Sequence, residues 1–304
     1  MHRFQHRAMA TQFEIRCTCA DGNYARQAAR AAFDAVDRLE RQLSRFIENS
    51  DVTRINHLSV GESTIVAYET MQCLVLASLM YAETRGAFDI SLGTGFETLE
   101  LSPAEFVVRR HPATLMELRR DVSQPADQGL GSVTLDLGAI GKGYAVDRAA
   151  DVLEDWEVEQ VLIDAGSSSV LALDPPAGAD GWPLTLSDPS GTGVVFATIP
   201  ARQRALGASG VRKTDHIVDP RTLAPVRSRV AAWVSAPRAV LAAIGRLAGV
   251  EDSAAAVADA LSTAFMISPA DQIAACCENH PGLEAWILED ALAHFPDAHR
   301  VDNG

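Results

Sequence analysis

The chain has 304 residues, of which 47% are hydrophobic and 22% charged, values typical of a soluble globular protein with a substantial core. Its formal net charge is −14, from 26 basic and 40 acidic residues. This balance argues against nucleic acid, which normally binds a basic face, and against an anionic membrane surface as partners. An anionic ligand would need locally supplied positive charge, from a helix N-terminus, a metal ion or a few Lys and Arg side chains.

The cysteines and the first residues give little sign of a special compartment. The five cysteines match no zinc-binding spacing and are interpreted as inert thiols. The first residues are charged throughout and lack an apolar run of signal-peptide length. No stretch approaches the roughly 20 apolar residues that a membrane span needs. We therefore expect a cytoplasmic protein without a membrane span.

Apolar periodicity predicts the elements of the first half of the chain. These are a strand over residues 11–19, helices over 24–46 and 68–84, and, in a less regular stretch, a short helix near 115–120. Gly86 is expected to end the second helix, because glycine readily adopts the conformation found after a helix C-terminus.

The second half of the chain is predicted to alternate strands and helices. The elements are a strand over 133–137, a helix over 142–156, a strand over 161–163, hairpins within 171–200, a strand over 230–235, a helix over 254–263, and strands over 265–267 and 285–287. This mixture predicts an α+β protein. Because no linker is visible, we expect a single domain over residues 1–304 made of two interleaved subdomains.

A glycine-rich turn joins the strand predicted at 133–137 to the helix that follows it. Gly138, Gly141 and Gly143 allow backbone N–H groups to approach an anion, and the helix N-terminus adds a favourable dipole. Lys142 lies within the turn and can pair with a phosphate. The spacing is neither that of a P-loop nor that of a GxGxxG motif. Taken alone, such a turn is more often structural than ligand-binding.

Asp259 and Thr263 lie four residues apart and so share one face of a predicted helix. A carboxylate and a hydroxyl that converge in this way suit Mg²⁺, which prefers oxygen ligands. The alternative is a solvated aspartate and a threonine that bonds its own helix backbone. The pattern alone favours that alternative.

His216 follows the dipeptide Ser209-Gly210 and precedes a turn at Asp219. A histidine at such a place can act as a general base near neutral pH. A lone loop histidine is nevertheless more often part of the polar surface. The segments at 44–56 and 86–91 are uninformative in isolation.

The order of the motifs along the chain is more specific than any one of them. In chain order they are Met9-Ala10-Thr11, the segment 44–56, GAFDIS at 86–91, LDLGAIGKGYAVD at 135–147, AGSSS at 165–169, Ser209-Gly210 with HIVDPRT at 216–222, and ADALSTA at 258–264. This order resembles that of the FAD:protein FMN transferases, the ApbE family. The match covers about residues 8–268, most of the chain.

The resemblance implies a duplicated, T-fold-like α+β architecture with FAD, the substrate, in a central cleft, and Mg²⁺ as the metal. It assigns the metal ligands to Asp259, Thr263 and the backbone carbonyl of Gly141, and the general base to His216. The residues that it places near FAD are Met9, Thr11, Asp89, Gly138, Lys142 and Ser209.

The sequence also departs from the family pattern. Ser167 to Ser169 follow Gly166 where the family usually has Gly-Gly-Asp, only residues 211–215 separate Ser209-Gly210 from the histidine, and Leu223 and Ala10 replace usual glycines. The main hypothesis is an enzyme that moves FMN from FAD to a Ser or Thr hydroxyl of an acceptor flavoprotein and releases AMP. The alternatives are an FAD pyrophosphatase, a non-catalytic FAD-binding protein, and an α+β protein whose motifs are purely structural.

Overall fold

The fold comes from a computed structural model, which describes residues 1–92, 94, 96–111, 133–211, 217–222, 224–226, 228–296 and 299–300. His216 lies outside these residues, and so does the helix predicted near residues 115–120.

Helices and strands alternate along the described residues. The helices are α1 (Gly22–Leu43), α2 (Asp51–Asn56), α3 (Tyr68–Glu83), α4 (Gly141–Asp155), α5 (Arg238–Arg246), α6 (Ala254–Phe265) and α7 (Ala270–Asn279). The strands are β1 (His2–Ala8), β2 (Thr11–Cys17), β3 (Ser63–Ile65), β4 (Leu99–Ser102), β5 (Val107–Arg110), β6 (Val161–Ala165), β7 (Ser169–Ala172), β8 (Trp182–Ser187), β9 (Val195–Ala201), β10 (Arg204–Gly210), β11 (Val218–Asp219), β12 (Ala224–Pro225), β13 (Ala231–Pro237), β14 (Glu284–Leu288), β15 (Leu292–Phe295) and β16 (His299–Arg300). No helix among them is long and apolar enough to cross a membrane.

One antiparallel sheet of nine strands organises the molecule, in the order β1-β2-β6-β7-β10-β13-β14-β15-β16. Successive side chains point to opposite faces of a sheet, so Ile163 and Leu171 join the core on the helical side, whereas Leu162 and Val170 join a second core under the β8–β9 hairpin. The predicted α+β class is confirmed. The duplicated unit and the two subdomains stay predictions.

Helix α6 is buried on all sides, with every residue but Thr263 inside the protein. Its small side chains allow its neighbours to approach closely. A Cβ atom on Gly143 of α4 would lie 2.3 Å from the carbonyl oxygen of Ala255, and one on Gly207 of β10 would lie 2.1 Å from that of Ala258. Glycine is therefore required on both sides of α6 for α4 and the sheet to approach this closely.

Two predicted strands are wrong. Residues 133–137 join no ladder within the described part of the chain; the backbone of Leu135 instead exchanges hydrogen bonds of 2.7 and 3.1 Å with the side-chain amide of Asn56. Residues 265–267 are not a strand because α6 runs on to Phe265 and ends in a turn. Three apolar residues cannot distinguish a strand from the last turn of a buried helix.

The carboxylate of Glu14 on β2 gives a stability prediction. Burial raises the pKa of this group, but hydrogen bonds from Arg3, Gln5 and Arg16 outweigh that effect and lower the pKa to about 2. A depressed carboxyl pKa stabilises the fold above the ordinary value of 4.5, and this contribution is lost as pH falls towards 2. The free energy of unfolding should therefore fall less between pH 4.5 and pH 2 in Glu14→Gln than in the parent. The expected difference is about 1–2 kcal/mol, because solvent screens part of the effect.

Urea unfolding of both proteins at pH 4.5 and at pH 2 measures the difference. Parallel losses in the variant and the parent would show that the ion pairs at Glu14 contribute nothing to stability.

Candidate functional site

A cavity of about 790 Å³ lies at the end of the sheet where β10 ends and β13 begins. Its walls come from α6, the β6–β7 turn, strand β8 and the loops at 87–92 and 136–142. This volume falls within the range of small-molecule and cofactor sites. Of the predicted site residues, Asp89, Gly138, Lys142, Ser209, Asp259 and Thr263 line it.

The loop before α4 is fixed by side chains that are distant in sequence. Asn56 holds Leu135, as described above, and the N–H of Asp136 donates to the carbonyl of Ile90 at 2.7 Å. The Asp136 carboxylate accepts the N–H of Gly138 at 2.8 Å and pairs with Arg45 at 3.1 Å. The glycine-rich loop is therefore held from several sides before any ligand binds.

Asp259 is the buried charge of the cavity, with only 2% of its surface exposed. Its Oδ2 atom accepts the N–H of Gly143 at 3.1 Å and lies 3.6 Å from the Nζ of Lys142. Burial raises the pKa of the Asp259 carboxyl, and the positive charge of Lys142 opposes that rise. A second cation beside this carboxylate would be favoured for the same electrostatic reason.

Three hydroxyl groups meet where β10 packs against α6. Ser209 Oγ on β10 is 3.0 Å from the hydroxyls of both Ser262 and Thr263 on α6. Thr263 also donates to the backbone carbonyl of Asp259 at 3.3 Å. This is the bond to its own helix that the alternative, structural interpretation of Thr263 predicts. The hydroxyl of Thr263 therefore bonds its own helix and also lines the cavity, and its role as a metal ligand stays a prediction.

These donors fit a magnesium ion. One carboxylate, a hydroxyl and nearby carbonyls form a hard oxygen set, and Mg²⁺ is commonly bound through one or two carboxylates together with substrate phosphates. Within the residues that the structure describes, no three His, Cys, Asp or Glu side chains cluster in a way that would hold a metal. The donor set therefore suits Mg²⁺ with a phosphate ligand better than a self-sufficient metal cage.

The third metal ligand that the resemblance implies is the backbone carbonyl of Gly141. Gly141 is buried as the first residue of α4 and does not line the cavity. A carbonyl at the first helical position accepts an intrahelical hydrogen bond and points along the helix, away from its N-terminus. Ala139 does line the cavity, and the N–H of Gly143, one turn on, is directed to Asp259 instead. The Gly141 assignment stays a prediction, although of these two residues only Ala139 lines the cavity.

Met9 and Thr11 lie behind the cavity wall and do not line it. Met9 and Ala10 form the tight β1–β2 turn, both at positive φ (49° and 57°), and the N–H of Met9 donates to Glu40 at 2.8 Å. Thr11 packs beneath Gly166, where an added Cβ would lie 1.9 Å from the threonine hydroxyl. Thr11 thus packs against Gly166, which does line the cavity.

The serines that replace the family's usual carboxylate form the β6–β7 turn. Ser167 and Ser168 line the cavity, whereas Ser169 is fully buried in β7. The N–H of Ser167 donates to Asp164 at 2.6 Å, and the Ser168 hydroxyl lies 3.1 Å from the carbonyl of Ala165. The turn therefore lines the cavity with serines, where the family usually has a carboxylate.

Several residues of the site were not assigned from the sequence, and three of them carry polar or aromatic side chains of interest. Arg45 and Trp233 line the cavity, and Asn56 supports its glycine-rich loop. Asn56 belongs to the segment 44–56, which is uninformative in isolation, and its partner Leu135 is 79 residues away. No local pattern signals such a contact. Arg45 lies next to Phe46, over whose ring its guanidinium sits at 4.6 Å.

Comparisons with known proteins agree with this architecture. A model of the ApbE family matches residues 9–287. A relative from Treponema pallidum named FAD:protein FMN transferase is 26% identical over 300 residues, which cover 87% of this chain and 76% of the relative. One of the same name from Vibrio cholerae is 23% identical over 74% of each chain.

Solved structures share the fold. The ApbE protein of Thermotoga maritima matches with a TM-score of 0.75 at 22% identity, over 96% of both chains. The apo form of the Pseudomonas stutzeri flavinyl transferase ApbE matches with a TM-score of 0.72 at 20% identity, over 95% of this chain and 90% of that one. Since the family model spans most of the sequence and these structures share its fold, the chain belongs to the ApbE family.

Proposed function

We propose that this chain is an FAD:protein FMN transferase, an enzyme that moves FMN from FAD to a Ser or Thr hydroxyl of an acceptor protein and releases AMP. The observation that carries the proposal is the convergence of Lys142, Asp259 and Thr263 on one cavity of cofactor size. These residues come from two separate motifs, and α4 packs directly against α6. The names of the relatives support the same activity.

In the proposed reaction the acceptor oxygen forms a bond to the phosphorus on the FMN side of the pyrophosphate. The bond from that phosphorus to the bridging oxygen breaks, and AMP leaves with that oxygen. His216 takes the hydroxyl proton as general base. Lys142 supplies positive charge beside the phosphates, and Asp259, Thr263 and a loop carbonyl would hold Mg²⁺. When bound, this ion neutralises charge that develops on the pyrophosphate oxygens.

The test follows AMP, FMN and protein mass together. The purified chain is incubated with FAD, Mg²⁺ and Ser- or Thr-containing acceptor proteins, with an EDTA-treated control. AMP in equal amount to an FMN adduct on the acceptor would support the transferase. AMP with free FMN would identify a pyrophosphatase, and bound but unchanged FAD would identify a binding protein.

Replacing the proposed base should slow transfer without abolishing FAD binding. Because general-base assistance is typically worth ~10²- to 10⁴-fold, His216→Asn should reduce the rate of adduct formation by about that factor. His57→Asn is the matched control, since the ring of His57 bonds the carbonyl of Thr53 on α2 and does not line the cavity. Equal rates for the two variants would remove His216 from the mechanism.

A further inference from the structure

Asp147 is a buried carboxylate that the proposed reaction does not use. It lies on α4, is 2% exposed, and accepts the N–H groups of Ala255 and Ala256 at 2.8 Å each. These two N–H groups belong to the first turn of α6, which has no hydrogen-bonding side-chain cap of its own. Asp147 therefore caps α6 from a neighbouring helix, and two N–H groups that α6 itself leaves unpaired are satisfied.

The contact is reciprocal. Asp259 on α6 accepts the N–H of Gly143 on α4, while Asp147 on α4 accepts the N–H of Ala255 on α6. In each helix the donor and the carboxylate are four residues apart, which is about one helical turn. Two contacts in opposite directions, one turn apart, fix how far one helix is shifted along the other. We call this four-residue arrangement the α4–α6 clasp.

The surroundings of the clasp leave little freedom for the helices to slide. Gly143 meets the backbone of α6 with no room for a Cβ atom. Arg148, next to Asp147, donates to the carbonyls of Glu251 and Asp252 at 3.2 and 2.6 Å, in the loop that leads into α6. Adjacent acidic and basic side chains of α4 thus hold both the N–H groups and the carbonyls at the start of α6.

We propose that Asp147 is a positioning residue, which sets the place of the Asp259 carboxylate in the metal site through the clasp. The inference rests on the proposed function, because it takes Asp259 as a metal ligand. Asp147 does not line the cavity, so it is not a catalytic residue in this proposal. Its effect is transmitted along one turn of α6, from Ala255 to Asp259, and across to Gly143.

Asp147→Asn tests this role, because the amide keeps the size of the side chain but replaces one of the two accepting oxygens with an NH₂ group, which cannot accept an N–H bond. Two quantities are measured that do not depend on turnover. The first is the dissociation constant of Mn²⁺ by electron paramagnetic resonance in the presence of FAD, which should rise at least about tenfold. The second is the hydrogen exchange rate of the Gly143 amide, which should also rise at least about tenfold because its partner Asp259 is displaced.

Leu153→Ala is the control for general destabilisation. It removes a fully buried apolar side chain from α4 and no hydrogen bond, so it should lower the melting temperature but leave the Mn²⁺ dissociation constant unchanged. All proteins are compared well below their melting temperatures. Unchanged Mn²⁺ affinity in Asp147→Asn, or an equal loss of that affinity in Leu153→Ala, would overturn the positioning role. A parent chain that binds Mn²⁺ and FAD but cleaves no FAD would refute the proposed function alone.

Discussion

Asp259→Asn should reduce the rate of AMP release from FAD by at least about 1,000-fold, equivalent to about 4 kcal/mol in activation free energy. The variant keeps the size of the side chain but removes the negative charge that lies 3.6 Å from Lys142 in the cavity. Without it, the proposed metal site loses its carboxylate ligand, and stabilisation of pyrophosphate charge is lost with it. The measurement is the initial rate of AMP formation at saturating FAD and Mg²⁺.

This loss should not come from unfolding. A neutral amide is easier to bury than a carboxylate, so the melting temperature of Asp259→Asn should equal or exceed that of the parent. Asp51→Asn is the matched control: Asp51 is also buried, accepts the N–H of Ala67 and the hydroxyl of Thr70, and lies outside the cavity. We expect Asp51→Asn to lose stability and keep its rate. Similar rates in the two variants would exclude Asp259 from the chemistry.

Gly207→Ala should have the largest effect on folding. An added Cβ would lie 2.1 Å from the carbonyl oxygen of Ala258, and both groups belong to backbone in the interior of the protein. The clash can be relieved only by moving β10, which is paired with strands on both edges, or α6, which is buried on all sides. We expect a loss of at least about 4 kcal/mol in the free energy of unfolding, at the extreme end of single substitutions.

Urea denaturation and the yield of soluble protein measure this effect. Gly178→Ala is the comparison, because Gly178 has positive φ (81°) but open space around its Cβ position. That substitution should cost only about 1–2 kcal/mol, the strain of a left-handed backbone. If the two variants were equally stable, the close approach of β10 to α6 would not be a requirement of the fold.

Local periodicity predicted much of the secondary structure. The helix predicted over 24–46 corresponds to α1, the one over 68–84 to α3, and the one over 254–263 to α6, each with shifted ends. These segments are long, and their apolar spacing is a signal that neighbouring elements do not override. Shorter elements such as α2, and strand β1 at the start of the chain, were not predicted.

The site was predictable where chemistry follows a motif and not where it depends on tertiary contact. Lys142, Asp259 and Thr263 were assigned to the site through the order of the family motifs, because each pattern taken alone favours a structural role, and the structure brings all three to one cavity. Asn56 could not be assigned, because it replaces a missing strand partner for Leu135 across 79 residues. Asp147 is similar: its motif is visible, but its role depends on where α6 packs.

The central position of α6 also has a consequence for the order of folding. Residues 254–265 come late in the chain, yet the helix they form lies between α4 and the middle strands of the sheet. Because a buried helix gains its stability from packing, α6 is not stable until its neighbours are in place. In the same way, the faces of α4 and β10 that pack against α6 stay uncovered until α6 has formed. During synthesis the nascent chain therefore carries most of the cavity wall long before it has Asp259. We expect completion of the site and cooperative folding of the whole sheet to be a single event.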